Sequence, residues 1–152
     1  MNNWGPNTWI LFHTMAEKIK EEDFDKYFPF IWKHINKLCQ TLPCPYCSEH
    51  ASQYLRNFKL TQIKNKTMFK TFIFQFHNFV NNHTNKIEQP LEILKIYKTY
   101  KIEDVFNNFI ISWQEISLQP NVNLMAHSFI RKKSLKDFHQ WFFYNVNVFK
   151  RN

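Results

Sequence analysis

The chain has 152 residues and a formal net charge of +8, and hydrophobic residues make up 44% of it. That length suits one compact domain with a buried core, and that composition argues against general disorder. Gly5 is the only glycine, which excludes the glycine-rich phosphate loops of Walker and Rossmann sites, so a nucleotide bound by this chain must be held by side chains on helices.

Apolar residues recur at helical spacing along the N-terminal part of the chain. A first helix is predicted after Pro6, ending at about Lys20. The acidic cluster at residues 21–25 interrupts the pattern, and a second helix carries an apolar stripe over residues 28–42. Pro43 ends this second helix.

Proline and threonine mark the starts of three more predicted helices. Pro45 suits the first turn of a third helix, Thr67 caps a fourth, and Pro90 begins a fifth. An asparagine-rich stretch at residues 81–85 separates the fourth helix from the fifth.

The C-terminal third shows a less regular helical spacing. Residues 105–113 predict one helix, residues 119–128 a connector, and Ser134 the cap of a last helix. The sequence therefore predicts an all-α fold, with a four- or five-helix bundle at residues 1–100 and a C-terminal helical extension at residues 101–152.

Membrane and secretion signals are missing from the sequence as given. No apolar run reaches the ~20 residues of a membrane span, and the N-terminus lacks the charged and apolar regions of a signal peptide. We therefore expect a soluble, intracellular protein. Three cysteines are too few for a disulfide scaffold, so a C-x-x-C pair in a reducing compartment indicates catalysis or metal binding.

The basic residues are scattered, with a modest concentration at residues 131–136. This distribution favours a solvated surface over a dedicated nucleic-acid site. The basic residues at 131–136 and the aromatic residues at 141–144 have two interpretations. They form a surface that binds a partner or nucleic acid, or they pack the C-terminal extension on the core.

The motif with chemistry in its spacing is Cys44-Pro45-Tyr46-Cys47. Two cysteines three apart at a helix start can form and open a disulfide with little backbone movement, and the helix N-terminus stabilises the reactive thiolate. Glutaredoxin-like exchange uses the same motif after a β-strand, and no β-alternating segment precedes it here. Zinc binding is an alternative, since Cys44, Cys47 and His50 provide three ligands and need a fourth.

Two further segments accompany this motif. W-G-P-x-x-W-x-x-x-H begins at Trp4, and its Trp9 and His13 share one helical face. H-N-F-V-N begins at His77 and ends at Asn81, again on one face. Each segment alone is compatible with an amphipathic helix and a core histidine. Together, with C-x-x-C between them, they resemble the Erv/ALR family of FAD-linked sulfhydryl oxidases, most closely its branch in large cytoplasmic DNA viruses.

This resemblance implies a flavoprotein thiol oxidase whose redox pair is Cys44 and Cys47, in a helical bundle that holds FAD. Cys44 is expected to meet the substrate, and Cys47 to lie against the flavin ring. Tyr97 takes roughly the place of an adenine-stacking tryptophan of the family. The residues implied to contact the cofactor are Trp4, Gly5, Trp9, His13, Tyr46, His50, His77, Asn78, Val80, Asn81, Lys86 and Tyr97.

The resemblance also implies partners. A dithiol protein, thioredoxin-like or a C-x-x-C shuttle, is expected to donate electrons, and molecular oxygen to accept them as hydrogen peroxide. A homodimer through the first helices, and a location in the host cytoplasm or the virion, are further implications, with no membrane, metal or nucleic-acid partner. Cys39 lies on the apolar stripe of the second helix and is interpreted as a core residue. The alternative is a zinc- or nucleic-acid-binding helical module.

Overall fold

The computed structural model describes residues 3–117 and 125–151. Helices account for most of them, and within these ranges there is no β-strand, which confirms the predicted all-α fold. An isolated β-bridge joins Ile19 to Phe149. The α-helices are α1 (Trp4–Lys18), α2 (Glu21–Gln40), α3 (Pro45–Arg56), α4 (Lys66–His83), α5 (Ile102–Ser117) and α6 (Met125–Asn145), and shorter 3-10 helices span Leu60–Gln62, Leu91–Thr99 and Val146–Val148.

The chain leaves the helical conformation between α1 and α2, at Ile19 and Lys20. The C-terminal end of the chain satisfies the backbone there, because Lys20 N–H donates to the Val148 carbonyl at 2.9 Å. The acidic cluster, predicted to break and restart the helical pattern, does restart it, because it forms the first turn of α2, and the break lies just before it. Carboxylates at that position interact favourably with the positive end of the helix dipole.

The cap of α4 is Asn65, whereas the sequence had predicted Thr67. Asn65 has extended backbone, and its Oδ1 accepts a hydrogen bond from Met68 N–H at 2.8 Å. Thr67 is already inside the first turn. Asparagine is at least as good a cap as threonine, so a helix that starts after Asn65 is capped as well as one that starts after Thr67.

Two other predicted helices also differ from the structure, one in its type and one in its start. After Pro90 the chain forms the 3-10 helix Leu91–Thr99 where an α-helix was predicted. Ser134 lies buried in the interior of α6 and does not cap it, because the packing of this helix overrides the local preference of serine for a cap. Most of the predicted connector at 119–128 lies outside the described residues, and α6 already includes its end.

One hydrophobic core contains residues from both sides of residue 100. Helix α1 contacts α4, α5 and the 3-10 helix Leu91–Thr99. Leu11 of α1 and Phe109 and Trp113 of α5 are completely buried. The Trp113 indole N–H also donates to Thr8 Oγ1 at 2.8 Å. Helix α5 of the C-terminal extension therefore packs directly on the first helix.

Candidate functional site

The cysteine pair lies at the start of α3. Cys44 is the N-cap residue and Pro45 is the first helical residue, so the helix starts at the proline, as predicted. Cys44 and Cys47 form a disulfide, and their Cα atoms are 5.2 Å apart. Cys47 N–H donates to Cys44 Sγ at 3.2 Å. Both residues are half-buried, so this end of α3 can take part in thiol–disulfide exchange.

A cavity of about 310 Å³ borders the disulfide on the Cys47 side. It is lined by parts of α1, α3 and α4, by the end of α2, by residues that follow α2 and α4, and by the 3-10 helix Leu91–Thr99. Mostly apolar walls with a few polar groups are typical of sites for small molecules and cofactors. The predicted site residues that line it are Trp4, Gly5, Trp9, Cys47, His77, Val80, Asn81, Lys86 and Tyr97.

Gly5 borders this cavity in the first turn of α1. A Cβ atom added at Gly5 would have no protein atom within 4 Å. The packing of the chain itself therefore does not require glycine at this position. The open space next to its Cα is room in which a bound molecule can approach the helix closely.

Two histidines lie at one wall of the cavity: His77 lines it, and His13 lies behind His77. His77 lines the cavity, and its Nδ1 is hydrogen-bonded to His13 Nε2 at 3.0 Å. Trp9 stacks on His77 with ring centroids 4.2 Å apart, and Tyr97 stacks on His13 at 4.5 Å. The predicted cofactor contact His13 thus lies behind His77, where it orients the ring that faces the cavity.

Burial keeps both imidazoles neutral. The pKa of His13 is lowered to about 3, mainly by desolvation and to a lesser extent by the electrostatic interaction with His77. The pKa of His77 is lowered to about 4, mainly by desolvation and to a lesser extent by the positive charge of Lys86. At neutral pH one ring donates the shared hydrogen bond, and the other accepts it. The wall is therefore polar and uncharged, and Lys86 is a cation at its edge.

Asn78 holds the segment that follows α4. Its Oδ1 accepts from Gln89 N–H at 2.9 Å, and its Nδ2 donates to the Gln89 carbonyl at 3.0 Å. Asn85 in this segment has a left-handed φ of 57°, a conformation that asparagine tolerates well. The carbonyl of Asn81 accepts from Lys86 N–H at 2.8 Å. Asn78 is thus placed where it fixes the segment that carries Lys86.

Tyr46 and His50 lie outside the residues that line the cavity. Tyr46 is 57% exposed and packs edge-on against His50, with ring centroids 4.3 Å apart. His83 of α4 lies on the other side, with its ring centroid 5.2 Å from that of His50. The structure therefore places Tyr46 on the surface and His50 half-buried beside it, both near the redox pair.

Sequence reasoning missed several residues that line the cavity. Some of them follow a motif residue by one helical turn: Ala51 comes four residues after Cys47, and Thr84 four after Val80. This i, i+4 spacing was an available signal. The other residues that were missed are Pro6, Thr8, Ile10, Phe12, Leu42 and Phe76.

Cys39 also borders the cavity, although it belongs to the core. It is a free thiol with only 2% exposure. Burial raises its thiol pKa far above the ordinary value. Because the thiolate is the reactive form, Cys39 is chemically inert in the folded protein.

Residues 3–117 and 125–151 contain no cluster of three or more histidine, cysteine or acidic side chains placed to hold a metal ion. Among the same residues, no helix combines the length and the apolar character that crossing a bilayer requires.

Comparisons with known proteins point to one family. The model of the Erv1/Alr family matches residues 6–102. The chain is 36% identical over 122 residues to the FAD-linked sulfhydryl oxidase of African swine fever virus, isolate Warthog/Namibia/Wart80/1980, a match that covers 76% of this chain and 100% of that protein. It is 27% identical over 98 residues to the putative FAD-linked sulfhydryl oxidase 347L of Invertebrate iridescent virus 6, covering 60% of this chain and 88% of that protein. No solved structure matches the chain.

Proposed function

The chain belongs to the Erv1/Alr family, and from this membership we propose that it is an FAD-linked sulfhydryl oxidase that forms disulfide bonds through Cys44 and Cys47. The observation that carries the proposal is the contact between the disulfide and the cavity. Cys47 lines the cavity together with aromatic rings and amide and imidazole side chains. A redox-active disulfide beside a pocket for a planar molecule is the arrangement that a flavin thiol oxidase needs.

The residues around the cavity fit FAD. Trp9, His77 and Tyr97 offer ring surfaces for a planar group, and Lys86 offers a cation for the phosphates. Gly5 leaves open space where the ligand approaches α1. When bound, FAD supplies a two-electron acceptor that can pass its electrons to oxygen.

The chain's own residues perform the thiol exchange. A substrate thiolate attacks Cys44 Sγ, forms a mixed disulfide with it, and releases Cys47 as a thiolate. A second substrate thiol then attacks the substrate sulfur of the mixed disulfide. The substrate is released with its new disulfide, and Cys44 is restored as a thiol. We assign the first attack to Cys44 because Cys47 faces the cavity. The N-terminus of α3 stabilises the thiolates that form there.

The partners follow from this scheme. We propose that a separate dithiol protein, thioredoxin-like or a C-x-x-C shuttle, donates the electrons, since Cys39 is the only other cysteine in the sequence and is buried. Oxygen accepts the electrons and becomes hydrogen peroxide. Because the relatives named above are viral proteins, we place the activity in the host cytoplasm or the virion.

We also propose a homodimer. The first helices can contribute to it only through their exposed side chains, because α1 buries Leu11 and Met15 inside its own chain. Phe30 of α2 is 48% exposed and is a candidate contact. Sedimentation of the wild type at twice the monomer mass, and of Phe30→Glu at the monomer mass, is the expected outcome.

The proposed function is tested by an absorbance spectrum of the purified protein before and after addition of dithiothreitol under air. Flavin absorption that bleaches and recovers as oxygen is consumed is the expected result. Cys47→Ser is expected to keep the colour and to lower turnover to below about one hundredth, because the exchange needs both sulfurs.

Cys39→Ser is the matched control, since it changes the other cysteine at the same cavity. It is expected to keep both colour and turnover. A folded, colourless protein that takes up no added FAD contradicts the proposal, and zinc analysis of that protein then distinguishes the metal-binding alternative.

A further inference from the structure

Helix α6 has an exposed face as well as a face that packs on the core. Exposed residues at the spacing i, i+4, i+7 and i+14 form one stripe along the helix, because these positions share a helical face. The stripe, together with the exposed residues that flank it, is called the outer face of α6. It consists of Phe129, Lys132, Lys133, Lys136, Phe143 and Tyr144. Its ends are about 21 Å apart along the helix axis.

The opposite face of α6 explains how this helix is held. His127 Nε2 donates to the Gln40 carbonyl at the end of α2, at 3.2 Å. Arg131, one turn later, is buried, and so are Phe138 and Phe142 further along the helix. Packing against the rest of the chain therefore accounts for this face and leaves the outer face without a role.

The two interpretations of the basic and aromatic segments at 131–136 and 141–144 each hold for part of them. Arg131 is buried, and Trp141 and Phe142 pack at the core. The lysines of the first segment and the last two rings of the second segment are exposed. The segments thus pack the extension on the core with one set of side chains and present the other set to solvent.

The three aromatic rings of the outer face are unusually open to solvent. Phe129 is 73% exposed, Phe143 is 71% exposed and Tyr144 is 81% exposed. Phe143 and Tyr144 contact each other edge-on, with ring centroids 5.7 Å apart. Rings this exposed leave apolar area in water that a bound partner can cover, and their faces are available for stacking.

The three lysines of the outer face keep their charge available for a partner. Among the described residues the ion pairs are Lys70 with Glu17 and Arg151 with Glu103, so these three lysines form none. Asp137 is the only acidic residue of α6, and its charge acts on His34 at the packed side of the helix. The outer face is therefore both aromatic and basic.

The order of the side chains along this face decides between its occupants. In a protein–protein interface the centre is apolar and lysine is depleted. Here the lysines occupy the middle, at residues 132–136, and the rings lie at both ends. A membrane surface takes up a helix through a continuous apolar face, which these lysines interrupt. A second copy of the chain would bring the same lysines and a net charge of +8, so like charges would repel.

Single-stranded nucleic acid matches this order. Its backbone offers phosphates to the lysines, and its unpaired bases offer flat surfaces to the rings. In a duplex the bases stack on one another and are not free to stack on a side chain. We infer that the outer face of α6 binds single-stranded nucleic acid, with phosphates at its three lysines and bases stacked on its three rings.

This binding activity goes beyond the proposed oxidase function and does not depend on it. The outer face lies beyond residues 6–102, which the family model matches, so it is a feature of the C-terminal extension. Phosphate and base are common to RNA and DNA, so both kinds of strand are expected to bind.

The test is a titration of fluorescently labelled oligothymidylate and oligouridylate with the oxidised 152-residue chain, followed by fluorescence anisotropy. Each oligonucleotide has about 20 nucleotides, more than the roughly 16 that one OB-fold domain covers at most. The wild type is expected to bind both at low salt. A plot of log affinity against log salt concentration is expected to have a slope of about −2, because three neutralised phosphates contribute about 0.7 each.

Lys132→Gln/Lys133→Gln/Lys136→Gln removes the charges of the outer face. It is expected to weaken binding at least about tenfold at low salt and to bring the slope close to zero. The matched control is Lys26→Gln/Lys64→Gln/Lys101→Gln, which removes the same charge at exposed positions elsewhere and is expected to weaken binding less than about threefold. A control that loses as much affinity and slope as the α6 variant overturns the inference, because net charge alone then accounts for the binding.

Phe129→Leu/Phe143→Leu/Tyr144→Leu keeps the outer face apolar and removes its rings. Binding is expected to weaken about tenfold with an unchanged slope, because base stacking is lost and the phosphate contacts remain. The matched control, Phe143→Tyr/Tyr144→Phe, keeps the rings and is expected to keep the affinity. Wild-type affinity in the leucine variant contradicts the inference, because the strand is then held without stacking.

Two results for the wild type would also overturn the inference. The first is tighter binding to a duplex of the same length than to either single strand. The second is binding to phosphatidylserine-containing vesicles and to neither oligonucleotide, which assigns the outer face to a membrane surface. Turnover of dithiothreitol tests the oxidase proposal separately, and all α6 variants are expected to retain it.

Discussion

Two cysteines border the same cavity and differ in their chemistry because of their positions. Cys47 is half-buried in the first turn of a helix, where the backbone N–H groups favour a thiolate. Cys39 is buried at the C-terminal end of α2, where desolvation disfavours the thiolate and raises the pKa of the thiol. The position of a cysteine on its helix, and not its distance from the cavity, thus separates a redox residue from a core residue.

Gly5 is the second residue whose role depends on the cavity. Gly5→Ala is expected to leave the free energy of unfolding of the apo-protein unchanged or raised by up to about 1 kcal/mol, because alanine favours a helix and its Cβ contacts no protein atom. The same Cβ enters the space next to the cavity. FAD is therefore expected to bind about tenfold more weakly, a loss of about 1.4 kcal/mol.

The measurements for Gly5→Ala are chemical denaturation of the apo-protein and a titration of the apo-protein with FAD. Because both are made on one variant, the unfolding experiment is the control for the binding experiment. Equal FAD affinity in wild type and variant would show that the ligand does not approach α1 at this position.

At the scale of the helices, α5 is joined to α1 by core packing and by the hydrogen bond from Trp113 to Thr8. Leu11 and Met15 of α1 have no exposed surface, and α5 is among the helices that cover α1. The C-terminal extension therefore contributes to the stability of the part that binds the cofactor. Its sequence has no chemical motif that would have indicated this contact.

Phe109→Ala tests that dependence. Phe109 is completely buried, so its truncation is expected to lower the free energy of unfolding by about 3–5 kcal/mol through lost burial and a cavity. Ile111→Ala is the matched control on the same helix, because Ile111 is 54% exposed, and its effect is expected within about 0.5 kcal/mol. Urea denaturation followed by circular dichroism measures both. Equal losses in the two variants would contradict the packing of α5 on the core.

At the scale of the whole molecule, a basic chain folds around three histidines that burial keeps neutral. Desolvation is the largest cause of the lowered pKa in each, and it brings His34 to about 4, His77 to about 4 and His13 to about 3. The positive charges of Lys37 and Lys33 lower the pKa of His34 further, and Asp137 opposes them. Acid is therefore expected to destabilise the folded apo-protein.

The direction in which the free energy of unfolding changes with pH follows from proton uptake by the unfolded chain. Below pH 6.5 the unfolded chain protonates these imidazoles, while the folded chain does not until the pH reaches about 4. The free energy of unfolding is thus independent of these groups above pH 7 and falls as the pH decreases from 6.5 to about 4. Each histidine is expected to contribute about 1–2 kcal/mol of loss by pH 5.

His34→Phe isolates one of these contributions. The imidazole lies between Phe138 and Trp141, with ring centroids 5.2 and 5.5 Å away, so a phenyl ring suits the space. Between pH 7 and pH 5 the variant is expected to lose about 1–2 kcal/mol less than the wild type. The matched control is His139→Phe, which changes an exposed histidine on α6. Parallel stability curves for wild type and His34→Phe would refute this account.

Local patterns in the sequence determined the helical fold and the start of α3, the helix that carries the cysteine pair. The 3.6-residue spacing of apolar side chains sets the helices, and Pro45 sets the start of α3 at the cysteine pair. Half of the residues that line the cavity were predicted, mainly from the three motifs, because residues one turn apart share a helix face. These features depend on neighbours in the chain, so no tertiary information was needed.

Tertiary structure decided the features that depend on contacts distant in sequence. His13 backs His77 across 64 positions of the chain, and Asn78 ties down the segment at Gln89, so neither motif alone shows which residue faces the cavity. The same holds for the packing of α5 on α1 and for the approach of His127 to Gln40. Helical periodicity states which face of a helix is apolar, and only the packed chain decides what that face meets.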